Sequence, residues 1–287
     1  KTNHDYVQFN DQISFEMVDS ILDTLDEPFA DPSYIPTFLL SKMISKKYKV
    51  ALSGDGGDEL LGGYIRVQKA MKNTNFTFSS LNNLIFNLYP AQFGTGSTFL
   101  SKNIDLNIRY NSFLSDTKLF NMLDINNENI TLNQFSENKF KNNYKQLMEN
   151  EYKFFLSQMM MFKVDRASMA NSLEIRSPFV DNKLIEYVFS HSNEYFNINR
   201  PKLPLKNYLQ KEFGPDFLNR KKQGFMFDVE SFVYKYEDEF YESIIYLSKV
   251  IDLNIKSIKN LFKFKSRMNA NRIWKLKVLS NYLSKNL

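Results

Sequence analysis

The densest chemistry in the sequence lies in Ser53–Tyr64, SGDGGDELLGGY. Gly54, Gly56 and Gly57 would let backbone N–H groups come close to a ligand. The turn is expected to lead into a helix, and a helix N-terminus favours anions. Asp55, Asp58 and Glu59 add carboxylates at the same place. Carboxylates beside an anion-binding backbone make sense when Mg²⁺ bridges them to phosphate, because Mg²⁺ takes oxygen ligands from protein and substrate together. A polar turn with helix-capping acids is the plainer reading. The apolar run Tyr48–Leu52, read as a short buried strand, and the second glycine pair Gly62–Gly63 favour a ligand site. No Gly-Lys-Ser/Thr follows, so this is not a Walker loop. The ligand spacing also differs from that of an EF-hand.

Three other segments hold chemically useful groups. Val164–Asp181 places Asp165, Arg166, Glu174, Arg176 and Asp181 in apolar surroundings. Ionised groups there need partners, either in a structural ion-pair network or lining a substrate. Arg176-Ser-Pro reads as a helix exit, since Pro178 forces the residue before it to be extended. Arg200–Lys206 and Arg220–Phe225 form two cationic clusters close enough in sequence to reach one phosphate. A lysine near a pyrophosphate leaving group would stabilise its developing charge; solvated surface lysine is the bland reading. Asp26–Ser33, DEPFADPS, is a rigid loop in which Asp31 or Ser33 would cap the next helix.

The elements that must position these groups follow from periodicity. Ile13–Leu25 carries a helical stripe that stops before Pro28, and Thr37–Lys46 reads as a helix. Tyr6–Phe9 is a candidate edge strand. Helix, short strand, glycine turn and helix in that order belong to α/β folds built on parallel strands. Residues 65–150 are polar and Asn-rich, with weak periodicity. Glu151–Ala170, Leu184–Phe189, Pro204–Phe213, Val229–Val250 and Ile255–Leu287 all read as helices. The expected division is an α/β part over 1–65 and a helical part over 66–287. One short strand and one edge strand do not make an open sheet, so the chain reads as the C-terminal portion of a longer protein.

Composition bounds the chemistry. The 287 residues are 43% hydrophobic with a formal charge of +5, which fits a globular chain and not a disordered one. There is no Cys, which excludes disulfides, thiol catalysis and Cys-ligated metals. The two histidines, His4 and His191, lie far apart in sequence, which disfavours a His metal site or a Ser–His triad. No apolar window is long enough for a transmembrane helix, and the N-terminus lacks a signal-peptide core. The expectation is a cytoplasmic protein with no membrane partner. The basic surplus gathers late, between Lys256 and Lys285, and reads as a solvated helix face or as contact with an acidic or nucleic-acid partner. Scattered basic residues and the lack of an RNA-binding motif argue against nucleic acid.

Together DEPFADPS, VALSGDGGDELLGGY, VDRASMANSLEIRSPFVD, Lys206 with RKKQGF, and the closing NRIWKLKVLSNYL resemble the synthetase domain of glutamine-dependent asparagine synthetases. Their order and approximate spacing are those of that family, and the resemblance covers nearly the whole chain. It implies an ATP-pyrophosphatase fold: α/β, with a Rossmann-like (adenine nucleotide alpha hydrolase-like) parallel sheet, here incomplete, and a large helical extension. It implies ATP and Mg²⁺ as cofactors, and aspartate or another small carboxylate as the group activated to an acyl-adenylate. It implies ammonia from a glutaminase domain, acting in cis or in trans, and leaves a homodimer open.

Carried over by position, Ser53, Gly54 and Gly56 would hold the nucleotide through the backbone. Asp55 would serve intermediate formation and ammonia's proton, and Asp58 would bind Mg²⁺. Lys206 would be the catalytic lysine, with Lys202 as its competitor. The family's Ser-Gly-Gly-x-Asp-Ser pyrophosphate loop and its Cys-led glutaminase domain are not in this sequence. The expectation is that this chain alone does not make asparagine. Amidation of a different carboxylate, such as a sugar uronate, is the alternative within the family. A non-catalytic or RNA-binding relative is the alternative of another class.

Overall fold

The computed structural model describes residues 4–5, 13–72, 79–103, 105–123, 143–191, 198–219 and 225–287. The edge strand expected at Tyr6–Phe9 and the cluster at 220–224 lie outside them. Along the chain come α1 (Phe15–Leu22), α2 (Tyr34–Ile44), β1 (Val50–Leu52), α3 (Gly57–Leu61) and α4 (Ile65–Lys72). Short helices follow: α5 (Ser79–Leu88), α6 (Ser97–Leu100), α7 (Leu106–Asn111), α8 (Thr117–Met122) and α9 (Asn143–Asn150). A π-helical stretch over Glu151–Met161 leads into α10 (Phe162–Met169), then β2 (Glu174–Arg176) and α11 (Asn182–Ser190). The described chain closes with α12 (Leu203–Phe213), α13 (Val229–Lys235), α14 (Glu237–Val250), α15 (Ile255–Lys263) and α16 (Arg267–Asn286). The fold is α/β and mostly helical.

β1 and β2 are the two strands among the described residues, and they pair in parallel. Glu174 N–H donates to the Lys49 carbonyl and Ser53 N–H to the Arg176 carbonyl, each at 2.9 Å. β2 departs from the helix exit read at Arg176. Two of its three residues are charged, so it carries no apolar strand signal. The chain leaves α10 through Ser172, whose φ of 55° turns it back toward extended backbone. β1 is not the buried strand expected: Val50 is 43% exposed and Leu52 74%. A strand with one neighbour has no layer on both faces, as a parallel sheet would require to bury it.

The chain divides into two compact units. The first comprises residues 1–49, 163–174 and 225–287. Several of its helices start on side-chain caps: Ser14 Oγ accepts from Met17 N–H, Asn254 Oδ1 from Ser257 N–H and Ser266 Oγ from Asn269 N–H. The Ser266 cap, in extended backbone, splits the expected single helix 255–287 into α15 and α16. Tyr236 likewise splits 229–250 into α13 and α14. α2 begins three residues before its expected start, since Pro36 falls in the first turn, where an N–H has no intrahelical partner. Trp274, Ile273, Phe240, Ile244 and Ile258 are fully buried between these helices. Lys277 Nζ crosses from α16 to Asp19 Oδ1 on α1 and to Ser243 Oγ on α14, both at 3.0 Å.

The second unit comprises residues 50–162 and 175–224. Its core is Leu60, Leu61, Val67, Ala70, Tyr110, Tyr144, Leu147, Met148 and Val188. α3 and α4 thus lie directly on the core, and the glycine turn sits at the start of α3. Among the described residues no helix is long and apolar enough to cross a membrane.

Candidate anion-handling site

The turn after β1 is built by three glycines in two kinds of surroundings. Gly56 adopts φ 87°, a left-handed conformation that favours glycine. Gly56 and Gly57 lie beneath Phe179: a Cβ on either would stand 3.4–3.5 Å from it. They are packing positions. Gly54 is different, because a Cβ there would meet nothing within 4 Å. Ser177 Oγ donates to the Asp55 carbonyl and ties the Arg176–Phe179 segment to the turn. Ser53 N–H is already taken by Arg176, but its hydroxyl oxygen is buried with no hydrogen-bond partner. The group Ser53 offers a ligand is therefore its Oγ, beside the open edge at Gly54.

α3 has five residues, too few for the macrodipole expected to draw an anion to the turn. Charge comes instead from side chains. Asp58 Oδ1 lies 2.6 Å from Lys202 Nζ, with both side chains partly exposed. Lys202 stands at the N-cap of α12 with φ 60° and ψ 29°, a left-handed conformation costing a non-glycine residue about 1–2 kcal/mol. Its N–H donates to the Leu61 carbonyl at 2.8 Å, which holds it there. Lys206, one turn further along α12, is exposed. The structure therefore brings Asp58 together with Lys202, the competing lysine of the sequence reading. Asp55 is half-buried on the same turn.

Behind the turn is a network whose partners are far apart in sequence. Glu59 is fully buried and accepts a hydrogen bond from the Tyr64 hydroxyl. Burial pushes its carboxyl above the usual carboxylate range against the opposing effect of that bond, and the charges of Asp58 and Glu151 add to the rise. Arg66 meets Glu151 in a two-bond fork, with Nε 2.7 Å from Oε1 and Nη2 bonded to Oε2. Its guanidinium lies 3.8 Å from the ring centroids of both Tyr64 and Phe155. Such stacking favours Arg over Lys. Burial raises the Tyr64 and Tyr110 hydroxyls well above the ordinary tyrosine range, and the adjoining carboxylates raise them further. The signal in the sequence was indirect: Glu151 opens a Phe- and Met-rich helix, where a buried acid needs a cationic partner.

The charges singled out in the first unit serve its own packing. Asp31 Oδ1 accepts from both Ser33 N–H and Ser33 Oγ, and Lys163 Nζ reaches Ser33 Oγ at 3.0 Å. Ser33 is the N-cap of α2 but its side chain caps no N–H. Arg166 pairs with Asp26 at 2.9 Å, with both side chains well exposed, an arrangement of small energetic weight.

Among the described residues no group of three or more His, Cys, Asp or Glu side chains could cage a metal ion. Mg²⁺ is usually held by one or two carboxylates with substrate phosphates and water, and Asp58 is a carboxylate that could hold it. The unpartnered Ser53 hydroxyl and the open edge at Gly54 fit a polar ligand.

An orphaned hydroxyl, an open glycine edge and a lysine–aspartate pair thus gather beside a parallel strand of an α/β protein. The chain belongs to the asparagine synthase family, whose model matches residues 1–274. It is similar to glutamine-hydrolysing asparagine synthetase 1 of Bacillus subtilis (strain 168), at 27% identity over 237 residues, covering 77% of this chain and 37% of that relative. It is also similar to asparagine synthetase 3 of the same organism, at 28% over 183 residues, covering 63% of this chain and 27% of that relative. The chain thus spans about a third of the length of the curated relatives it matches. No solved structure matches it.

Proposed function

We propose that the chain supplies the carboxylate-activating site of an ATP-dependent amide-forming ligase. Aspartate is activated by ATP as an acyl-adenylate with release of pyrophosphate, and glutamine-derived ammonia displaces AMP to give asparagine. Family membership supports the class of reaction. The single observation that carries the assignment to this turn is the Asp58–Lys202 pair, held at 2.6 Å by a left-handed lysine backbone.

Each residue then has a stated task. Ser53 Oγ and the Gly54 edge receive the nucleotide. Asp58 would hold Mg²⁺, which would supply charge neutralisation at the phosphates when bound. Lys202 sets an ammonium beside the departing pyrophosphate, where developing charge is stabilised electrostatically. Asp55 takes the acidic position near the carbonyl under attack and accepts ammonia's proton. Lys206 serves as a surface cation that draws anions toward the turn.

Calorimetric titration of the chain with Mg·ATP tests the reading. The wild type should bind, and both Asp58→Asn and Lys202→Met should weaken binding about tenfold or more, as loss of a charge-assisted contact predicts. Lys206→Met should change affinity little. No binding, or equal affinity in all four proteins, would remove the assignment. The carboxylate is decided separately, by amide formation from aspartate or a uronate in the protein carrying its glutaminase partner.

A further inference from the structure

We propose that Gly63 is a positioning residue: its bare Cα is the seat on which Asp58 and Lys202 meet. The proposal rests on the ligase reading only for what the pair then does. The sequence suggested that the second glycine pair lets backbone approach a ligand, but the geometry assigns it to two side chains. A Cβ on Gly63 would lie 1.5 Å from Asp58 Oδ1 and 2.4 Å from Lys202 Cε. One methyl group would thus collide with both partners of the ion pair at once.

The backbone around the seat is fixed from three directions. The Asp58 carbonyl accepts from both Gly62 N–H and Gly63 N–H at 2.9 Å. Gly62 ends α3 at φ 77°, a left-handed conformation that favours glycine. Lys202 N–H is bound to the Leu61 carbonyl two residues before the seat. Asp58, Gly63 and Lys202 therefore form one closed arrangement. Any side chain at 63 must push the carboxylate or the ammonium away. Gly54, before α3 where Gly63 follows it, supplies the contrast, with free space at its Cβ position.

The test reads Lys202 directly, by limited acetylation of the folded chain and mass spectrometry. Lys206, exposed on the same helix, is the reference, and buried Lys118 of the same unit reports unfolding. In wild type Lys202 should react several-fold more slowly than Lys206. Gly63→Ala should raise its rate several-fold toward that of Lys206 while Lys118 stays protected, and Gly54→Ala should leave it unchanged. Asp58→Asn should raise Lys202 reactivity without touching the seat, which keeps the ion pair testable if Gly63→Ala does not fold. The melting-temperature loss caused by Gly63→Ala should largely disappear in Asp58→Ala/Gly63→Ala, where the colliding oxygen is gone. Unchanged Lys202 reactivity in folded Gly63→Ala, or an undiminished thermal loss in the double variant, would overturn the seat. None of these readouts requires nucleotide, so the seat and the ligase reading fail separately.

Discussion

All nine glycines of the chain fall within the second unit's residues, and none within the first's. The first unit is made of helices, several of which begin on Ser, Asn and Asp caps, and these bury Trp274, Phe240 and Ile273 between them. Its ion pairs, such as Lys277 with Asp19, tie one helix to the next. The second unit bends through left-handed glycines at 56, 62 and 96 and holds a lysine in the same conformation at 202. Two of its ion pairs, Asp58–Lys202 and Arg66–Glu151, join residues far apart in sequence. Regular helices with apolar stripes yield stability, whereas irregular backbone sets particular atoms against each other. The unit with the poorer helices is the one that holds the proposed site.

The comparison breaks if the first unit proves insensitive to its core. Phe240→Ala removes a fully buried ring packed against Phe15, Phe232 and Trp274. It should cost about 3–5 kcal/mol in urea unfolding and leave the Asp58–Lys202 pair alone in the folded protein. Next is Glu151→Gln in the second unit. It strips the counter-charge from Arg66, which is held between two rings, and removing one partner of a buried pair costs about 3 kcal/mol or more. Replacing both partners with apolar residues should recover much of that loss; if it does not, the fork does more than satisfy buried charge.

Smaller effects sharpen the picture of the first unit. Ser266→Ala should cost about 1 kcal/mol through the lost cap of α16. The smallest effect is a pH dependence at Asp228, the cap of α13. Hydrogen bonds from the Ser231 hydroxyl and backbone hold its carboxyl below the ordinary value of 3.8. A lowered folded-state pKa adds stability that is present above 3.8 and lost as pH falls through the lowered value. The melting-temperature gap between wild type and Asp228→Ala should therefore be steady near neutrality and narrow in strong acid.

What the sequence disclosed divides along the same line. The helices of the first unit were legible from their stripes, but the breaks at Tyr236 and Ser266 were not, because neither Gly nor Pro marks them. The glycine turn itself was legible from its residue types, and the structure places it between β1 and α3. Which glycine packs and which stays open depends on Phe179, more than a hundred residues downstream, and no local pattern reports that. β2 escaped notice because Glu-Ile-Arg has a single apolar residue. The choice between Lys202 and Lys206 could not be made from spacing along one helix. That Lys202, and not Lys206, meets Asp58 depends on the backbone angle of Lys202 and the carbonyl of Leu61. The Arg66–Glu151 fork spans 85 positions and is a product of folding alone.

Trp274 is the single tryptophan of the chain; its ring is fully buried in the first unit and its indole N–H has no hydrogen-bond partner. Its emission should be blue-shifted in the native state and move red only when that unit opens. The second unit is silent in this channel, so intrinsic fluorescence and far-ultraviolet dichroism recorded on the same unlabelled sample would reveal whether the two halves melt as one cooperative block or in succession.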